Sequence, residues 1–410
     1  MKSTFLFGFL ALIFLSGCKC GTDLPAKYTF AYGEWRGAFQ TSEGELPFLF
    51  EVKHLNNDSL EFTLINGKER ITTRNADIIG DSLIAELPVY ESVLIGKIKG
   101  TGKDTLEGVW IKTAYDKETA IPFKAVFGGK YLFASRNTQI PTDISGTYAT
   151  TFIDSGSTEQ GIGNFEQAAL EIRGSFLTPT GDYRYLTGIV ERDSVFMSGF
   201  DGASAYLVKG KIFGSKISGK LISASGTFRA FEAIKSDRAA MENLKTEIDL
   251  QQPIRFSLPN HLQQNLTFPS EKYRNKVVVL QVLGTWCHNC IDETQYLAQR
   301  SEMWKKQGVE IIGLSFERTD MEEKGRDNIR RLVERFNVKY PILLARSPKP
   351  ESLQKTFPQI KEMLGYPTTI LIGKDGKVAD VHVGFSGPAT GKFYQQYQEE
   401  FESKIAKLLK

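Results

Sequence analysis

Near residue 236 the hydrophobic period of this chain changes, and that change limits what it can fold into. From about Tyr28 to Ala233, apolar residues come in short alternating runs broken by Gly, Asn and Asp. Examples are Phe48-Leu49-Phe50-Glu51-Val52, Leu60-Glu61-Phe62-Thr63-Leu64 and Leu94-Ile95-Gly96-Lys97-Ile98. Alternation with turn residues at this spacing reads as antiparallel strands. After Pro253 the texture is different: continuous apolar runs alternate with segments of helical spacing, the pattern of an α/β domain. At 410 residues the chain has room for two or three domains.

The β-rich stretch repeats itself. Asp81-Ser82-Leu83-Ile84 matches Asp193-Ser194-Val195-Phe196, and Leu106-Glu107-Gly108 matches Ile217-Ser218-Gly219. Pro122-Phe123-Lys124-Ala125 matches Phe228-Arg229-Ala230, and Gly33 near Trp35 pairs with Gly146 near Tyr148. The offset stays near 112, the distance from Asp81 to Asp193, and a constant offset is the sign of a duplicated unit. The expectation is a duplicated antiparallel all-β region, with one repeat over 28–140 and the other over 141–235. The halves are sandwich-like or barrel-like, or join in one larger sheet system. Within it, Thr180-Gly181-Asp182-Tyr183-Arg184 and Phe200-Asp201-Gly202 read as turns, and His54 as an exposed histidine near a strand edge. Gly161-Ile162-Gly163 lacks the strand and lysine of a phosphate loop. Residues 236–252 are charged and free of glycine, and read as a linking helix that Pro253 ends.

The chain opens MKSTFLFGFLALIFLSGCKC. Lys2 supplies a positive start, and Phe5 to Leu15 has the size of a signal-peptide apolar core, well short of the ~20 residues of a membrane span. Leu15-Ser16-Gly17-Cys18 follows, and resembles the lipobox of bacterial lipoproteins. That resemblance implies cleavage of residues 1–17, lipidation of Cys18 and a tether over 18–27. Attachment through several acyl chains is stable, unlike attachment through one. A plain secretory peptide is the other reading. Either puts the folded chain outside the cytoplasm, where thiols tend to be oxidised. Only four cysteines occur, Cys18, Cys20, Cys287 and Cys290, too few for a disulfide scaffold. A formal charge of +3 with no Lys/Arg block argues against nucleic acid as a partner.

In the C-terminal region, Lys276 to Leu283 is a fully apolar-textured strand and Ile291 to Gln307 has helical character. Val309 to Phe316 reads as a second strand, Ile329, Leu332, Val333 and Phe336 mark a helix, and Tyr340 to Leu344 is a further strand. Thr368 to Ile372 and Val378 to Val383 flank the turn Lys374-Asp375-Gly376 as a hairpin, and Phe393, Tyr397, Phe401 and Ile405 mark a closing helix. Gly284-Thr285-Trp286-Cys287-His288-Asn289-Cys290 therefore falls at a strand-to-helix junction. A helix N-terminus offers unpaired N–H groups and partial positive charge, which favour a thiolate, the nucleophilic form of cysteine. Two intervening residues bring Cys290 around one turn, within disulfide reach. Structural zinc needs four ligands, and there is no second C-x-x-C and no nearby histidine pair, so no metal is expected.

The segment from about Pro253 to Lys410 resembles the thioredoxin superfamily, and most closely the TlpA/ResA-type membrane-anchored thiol–disulfide oxidoreductases. The marks are the strand Lys276 to Leu283, the Cys287–Cys290 motif, and Gly365-Tyr366-Pro367-Thr368-Thr369. The resemblance implies a thioredoxin-like fold over 253–410 and a cis Pro367 facing the cysteines. It makes Cys287 the attacking and Cys290 the resolving thiol, and Trp286, Tyr366, Pro367 and Thr368 a docking surface for an extended substrate. Thioredoxin itself has a buried Asp six residues before the first cysteine, where this chain has Gln281. ResA-like members have a Glu three residues after the second cysteine, which here is Glu293. The resemblance therefore makes Glu293 the proton acceptor, with Asp292 an ordinary acid at a helix start. Asn289 replaces the usual proline before the second cysteine. The related peroxiredoxins place Pro and then Thr three residues before the reactive cysteine; here Leu280 and Thr285 fail that register. No organic cofactor is implied. The implied partners are protein thiols and disulfides, the membrane through the lipid anchor, and an electron donor or acceptor in the membrane or periplasm. A non-enzymatic reading, in which the β region binds a partner and the C-terminal domain is a platform, stays open beside the enzyme.

Overall fold

The computed structural model describes residues 30–55, 59–135, 141–241, 253–349, 358 and 365–410. The leader, Cys18 and Cys20 lie outside the described residues, as does most of the linking-helix segment, whose described part, 236–241, is not helical. Among the described residues no helix is long and apolar enough to cross a membrane.

The alternating runs form two nine-stranded antiparallel sheets. The first contains β1 (Gly33–Thr41), β2 (Gly44–His54), β3 (Leu60–Asn66), β4 (Glu69–Thr73), β5 (Ala76–Ile79), β6 (Ser82–Glu86), β7 (Ser92–Lys99), β8 (Thr105–Ala114) and β9 (Lys117–Phe127). Its order is β4-β3-β2-β1-β9-β8-β7-β6-β5, which leaves β4 and β5 as edges. The second contains β10 (Gly146–Asp154), β11 (Ser157–Ala168), β12 (Glu171–Thr178), β13 (Gly181–Asp182), β14 (Leu186–Glu191), β15 (Ser194–Phe200), β16 (Ala205–Phe213), β17 (Lys216–Ser223) and β18 (Phe228–Lys235). Every strand of the second sheet follows its counterpart in the first by about 112 residues, as β6 at Ser82 and β15 at Ser194 illustrate. The second sheet closes on itself, because β11 pairs with β10 on one side and with β12 on the other. Closure removes the exposed edges that an open sheet carries.

Alternation decides what each sheet buries. On β1 and β2, Trp35, Phe39, Phe48 and Phe50 point inward and are almost completely buried. Full burial of each large side chain contributes about 1.5–3 kcal/mol. The two halves share this core. Phe200, at the end of β15, inserts among Phe39, Phe48 and Trp110 with ring centroids 4.8–5.2 Å away. Buried Asn66 serves as the polar counterpart: its Nδ2 donates to the Phe200 carbonyl at 2.7 Å and its Oδ1 accepts from the Phe200 N–H at 3.1 Å. Both ends of the Asn66 amide are thus satisfied across the junction.

The C-terminal region begins with a hairpin of β19 (Phe256–Pro259) and β20 (Asn265–Phe268). A mixed sheet follows, made of β21 (Val277–Leu283), β22 (Val309–Ser315), β23 (Ile342–Leu344), β24 (Thr368–Ile372) and β25 (Val378–Val383). Its order is β23-β22-β21-β24-β25, with β21 central, parallel to β22 and antiparallel to β24. The helices are α1 (His288–Lys306), α2 (Glu322–Phe336) and α3 (Lys392–Leu409). All seven residues of β21, six of them apolar, are buried, as a strand covered on both faces requires. Its alternate side chains serve opposite faces. Val277, Val279 and Leu283 pack with residues of α1, α2 and α3, whereas Val278, Leu280 and Val282 pack with Phe256 and Phe268. This is the thioredoxin-like α/β arrangement, and it sets the β21–α1 junction at the end of the central strand.

Candidate active site

Cys287 is the N-cap of α1, in extended conformation. Its sulfur accepts the backbone N–H of Cys290 at 3.3 Å, so the thiol takes the capping place that a Ser or Asp side chain fills elsewhere. The same sulfur lies 3.5 Å from the carbonyl of Tyr366, to which its thiol donates. The Tyr366–Pro367 peptide is cis, and the Tyr366 carbonyl contact places the loop before β24 against Cys287. Cys287 is 9% exposed and Cys290 fully buried; both are free thiols. Burial pushes the Cys290 thiol well above its ordinary range, and the neighbouring Cys287 adds to that push.

The other residues singled out in the sequence fall around this pair. Trp286 donates through Nε1 to the Phe316 carbonyl at 2.8 Å and meets Tyr366 edge-on, and the Arg318 guanidinium lies 3.6 Å over its ring. Pro367 and Thr368 are buried, and Thr368 Oγ1 donates to the Gly365 carbonyl at 2.8 Å. Thr285 donates to Glu317 at 2.6 Å. Glu293 is fully buried one turn beyond the cysteines. It accepts from Gln281 Nε2 at 2.9 Å, Thr369 Oγ1 at 2.7 Å and Tyr397 OH at 3.0 Å. Burial pushes its carboxyl up to about 7, against the pull of these three hydrogen bonds. The position where thioredoxin has Asp is thus the hydrogen-bond partner of the acid that ResA-like members have.

Asp292 departs from the sequence expectation. It is buried, its carboxyl pushed up to about 8 by burial, and it pairs with Arg184 of the β-rich region at 3.1 Å. A first-turn acid stays solvated only if nothing covers the helix start, and here the β-rich region covers it. The turns read as bare connections at Thr180–Arg184 and Phe200–Gly202 pack against the cysteine motif. Asn289 Oδ1 accepts the Asp182 N–H at 3.3 Å, and His288 Nε2 lies 3.0 Å from the Asp182 carbonyl. A Cβ added to Gly181, at φ +141°, would stand 1.9 Å from the Asn289 amide nitrogen. A Cβ at Gly384 would stand 2.6 Å from the Pro179 carbonyl oxygen. Such contacts admit glycine alone. Val89, Tyr90 and Ala203 join Cys287, Cys290 and Ile291 in one apolar cluster. Beside Trp286 a cleft of about 140 Å3 opens between the regions, lined among others by Tyr90, Lys112, Ala203 and Arg318. No group of His, Cys, Asp and Glu among the described residues could hold a metal ion.

Comparison with known proteins agrees with this geometry. Residues 251–381 match the AhpC/TSA family. The thiol-disulfide oxidoreductase ResA of Geobacillus thermodenitrificans is 32% identical over 112 residues, 27% of this chain and 57% of its own. The ResA of Bacillus thuringiensis subsp. konkukian is 29% identical over 136 residues, 33% of this chain and 65% of its own. The chain thus spans about 57–65% of the length of these relatives. Among solved structures, a thioredoxin-family thiol:disulfide interchange protein from Chlorobium tepidum TLS is similar at TM-score 0.30 and 19% identity, covering 41% of this chain and all of that one. A thiol-disulfide oxidoreductase from Bacteroides fragilis is similar at TM-score 0.27 and 21% identity, covering 35% of this chain and 99% of its own. The fold, the motifs and the ResA relatives together support a TlpA/ResA-like, thioredoxin-superfamily C-terminal region.

Proposed function

We propose that the chain is a membrane-anchored protein disulfide oxidoreductase acting outside the cytoplasm through Cys287 and Cys290. The observation that carries this reading is the unequal placement of the two sulfurs. One caps a helix N-terminus beside the Tyr366–Pro367 loop, and the other is fully buried behind it. In the reductive direction the Cys287 thiolate attacks a substrate disulfide. A Cys287–substrate bond forms, the substrate disulfide breaks, and one substrate thiolate leaves. Cys290 then attacks the Cys287 sulfur, frees the second substrate thiol and closes the Cys287–Cys290 disulfide. Two electrons pass to the substrate, and a partner must return them. The same steps in reverse oxidise a substrate dithiol. Cys290 must lose a proton in a buried place, and Glu293, buried one turn beyond it and held where it exchanges protons near neutrality, is the base for it. Trp286 and Tyr366, both part-exposed, are the docking surface in this reading, whereas Pro367 and Thr368, expected with them, are buried behind it.

The anchor in this reading is Cys18, lipidated at Leu15-Ser16-Gly17-Cys18 and set off by the tether 18–27, which holds the chain in the cell envelope facing the periplasm. The strand-by-strand correspondence supports two copies of one β unit, 28–140 and 141–235, joined through 236–252 to the thioredoxin-like domain at 253–410. Reduction of insulin by the full chain tests the reading. The wild type should turn over and Cys287→Ser should not; a wild type inert towards insulin and towards small disulfides would leave the platform reading in its place.

A further inference from the structure

The two residues between the cysteines are held by the β-rich region, and the hold is electrostatic as well as steric. Arg184 follows β13 at φ 55° and is buried. Its guanidinium reaches Glu69 of β4, Asp201 of the turn after β15 at 3.6 Å, and Asp292 of α1 at 3.1 Å. One of its nitrogens also donates to the His288 carbonyl at 3.4 Å, inside the cysteine motif. Next to it, Asp182 accepts from the backbone N–H groups of Arg184 and Gly387, both at 2.6 Å, and its own peptide holds His288 and Asn289. Three carboxyl groups, Glu69, Asp201 and Asp292, thus surround one guanidinium, with the Asp182 carboxyl on the backbone beside it and the His288 ring 3.9 Å from Asp201.

We propose that Arg184 is a positioning residue of the dithiol site, fixing the His288–Asn289 dipeptide and balancing the buried carboxylates around it, so that the β-rich region sets the redox poise of Cys287 and Cys290. This inference rests on the oxidoreductase reading above and deepens it. Charges interact strongly where water is excluded. Arg184, which donates to the carbonyl of the residue after Cys287, favours negative charge on that cysteine's sulfur, and ionised Asp292 opposes it. A thiolate exists in the dithiol and not in the disulfide. Whatever stabilises the thiolate therefore stabilises the reduced form and makes the pair a stronger oxidant. Burial of Asp292 raises its carboxyl to about 8, so its opposition is felt fully only above that pH.

The test is the reduction potential of the full chain, with Cys20→Ser throughout, measured against glutathione at about pH 9. Arg184→Gln should shift the equilibrium about tenfold towards the disulfide, which is about 30 mV more negative. Asp292→Asn should shift it in the opposite direction, and Arg184→Lys should restore most of the wild-type value. Iodoacetamide should label Cys287 more slowly in Arg184→Gln and faster in Asp292→Asn. A merely structural role would move both variants the same way, through loosening, or neither; either result overturns the proposal. If Arg184→Gln fails to fold, Asp292→Asn decides alone, since an unmoved potential in that variant is equally fatal. A wild type with no reversible dithiol–disulfide couple would instead overturn the oxidoreductase reading, and this inference with it.

Discussion

Gln281 Nε2 donates to Glu293 Oε2 at 2.9 Å, joining the central strand to the first turns of α1 beneath the two cysteines. The carboxyl is held at about 7 in the folded chain, against an ordinary value of 4.5. Because the folded value is the higher one, the stability this group lends is complete below about 4.5 and is lost as pH rises through about 7. Glu293→Gln should therefore flatten the decline of stability over that window and leave the variant more stable than wild type at about pH 8, by up to about 3 kcal/mol. Denaturant titrations at about pH 5 and about pH 8 would show it; equal slopes for variant and wild type would contradict it. Exchange should slow in the same variant and lose its rise near neutrality. An unaltered pH–rate profile would move the proton to water.

The unequal burial of the sulfurs predicts unequal trapping. Cys290→Ser removes the resolving thiol, so mixed disulfides should accumulate as high-mass bands that collapse with reductant. Cys287→Ser should accumulate none, and its remaining Cys290, fully buried, should react slowly with iodoacetamide. Cys20→Ser belongs in both backgrounds. Equal trapping by the two variants would reverse or abolish the assigned roles, and mass spectrometry of the trapped bands would identify the substrates.

Gly181→Val should open the site. Its side chain would collide with Asn289, so the β-rich turn must lift away from the helix start. Labelling of Cys287 by iodoacetamide should rise several-fold while the circular dichroism of the folded chain is kept. Unchanged labelling would mean that the turn does not limit access.

Phe200→Ala should destabilise both β halves together. The ring belongs to the second half by chain and to the first by packing, and such a truncation costs about 3–5 kcal/mol. A single shifted transition by fluorescence and circular dichroism is expected; separate transitions would show two independently folding halves.

Cys18→Ser should release the protein from the membrane fraction, since the anchor is read from Leu15-Ser16-Gly17-Cys18. Unchanged fractionation would remove lipidation from the functional reading.

What could be read from the sequence was what depends on neighbours along the chain. The run from Lys276 to Leu283 reads as a strand buried on both faces, and the change of period near residue 236 separates all-β from α/β. The offset of about 112 anticipates two sheets with matching strands, because turn spacing is a local property. The charge cluster was not legible. Glu69, Arg184 and Asp292 are far apart in sequence, and each taken alone is an ordinary surface residue type. The one available signal was the repeat itself. Val89 and Tyr90 stand where the second half has Asp201 and Gly202, and both of these turns reach the cysteine motif. Two equivalent turns with unlike chemistry point to a shared asymmetric neighbour. Asp292 was misplaced for the same reason, since its burial comes from a region more than a hundred residues away.

Arg184 stands where three units meet: Glu69 belongs to an edge strand of the first sheet, Asp201 to a turn of the second, and Asp292 to the helix that the cysteines begin. Coupling between sites is reciprocal by thermodynamic necessity. Any free energy by which the docked β-rich region biases the dithiol must reappear, in equal amount, as a difference in docking between the oxidised and reduced chains. On the proposal that Arg184 sets the redox poise, electron transfer at Cys287 and Cys290 acts as a ligand for the assembly of the whole molecule, and the grip of the β sheets on the helix start becomes a record of its oxidation state.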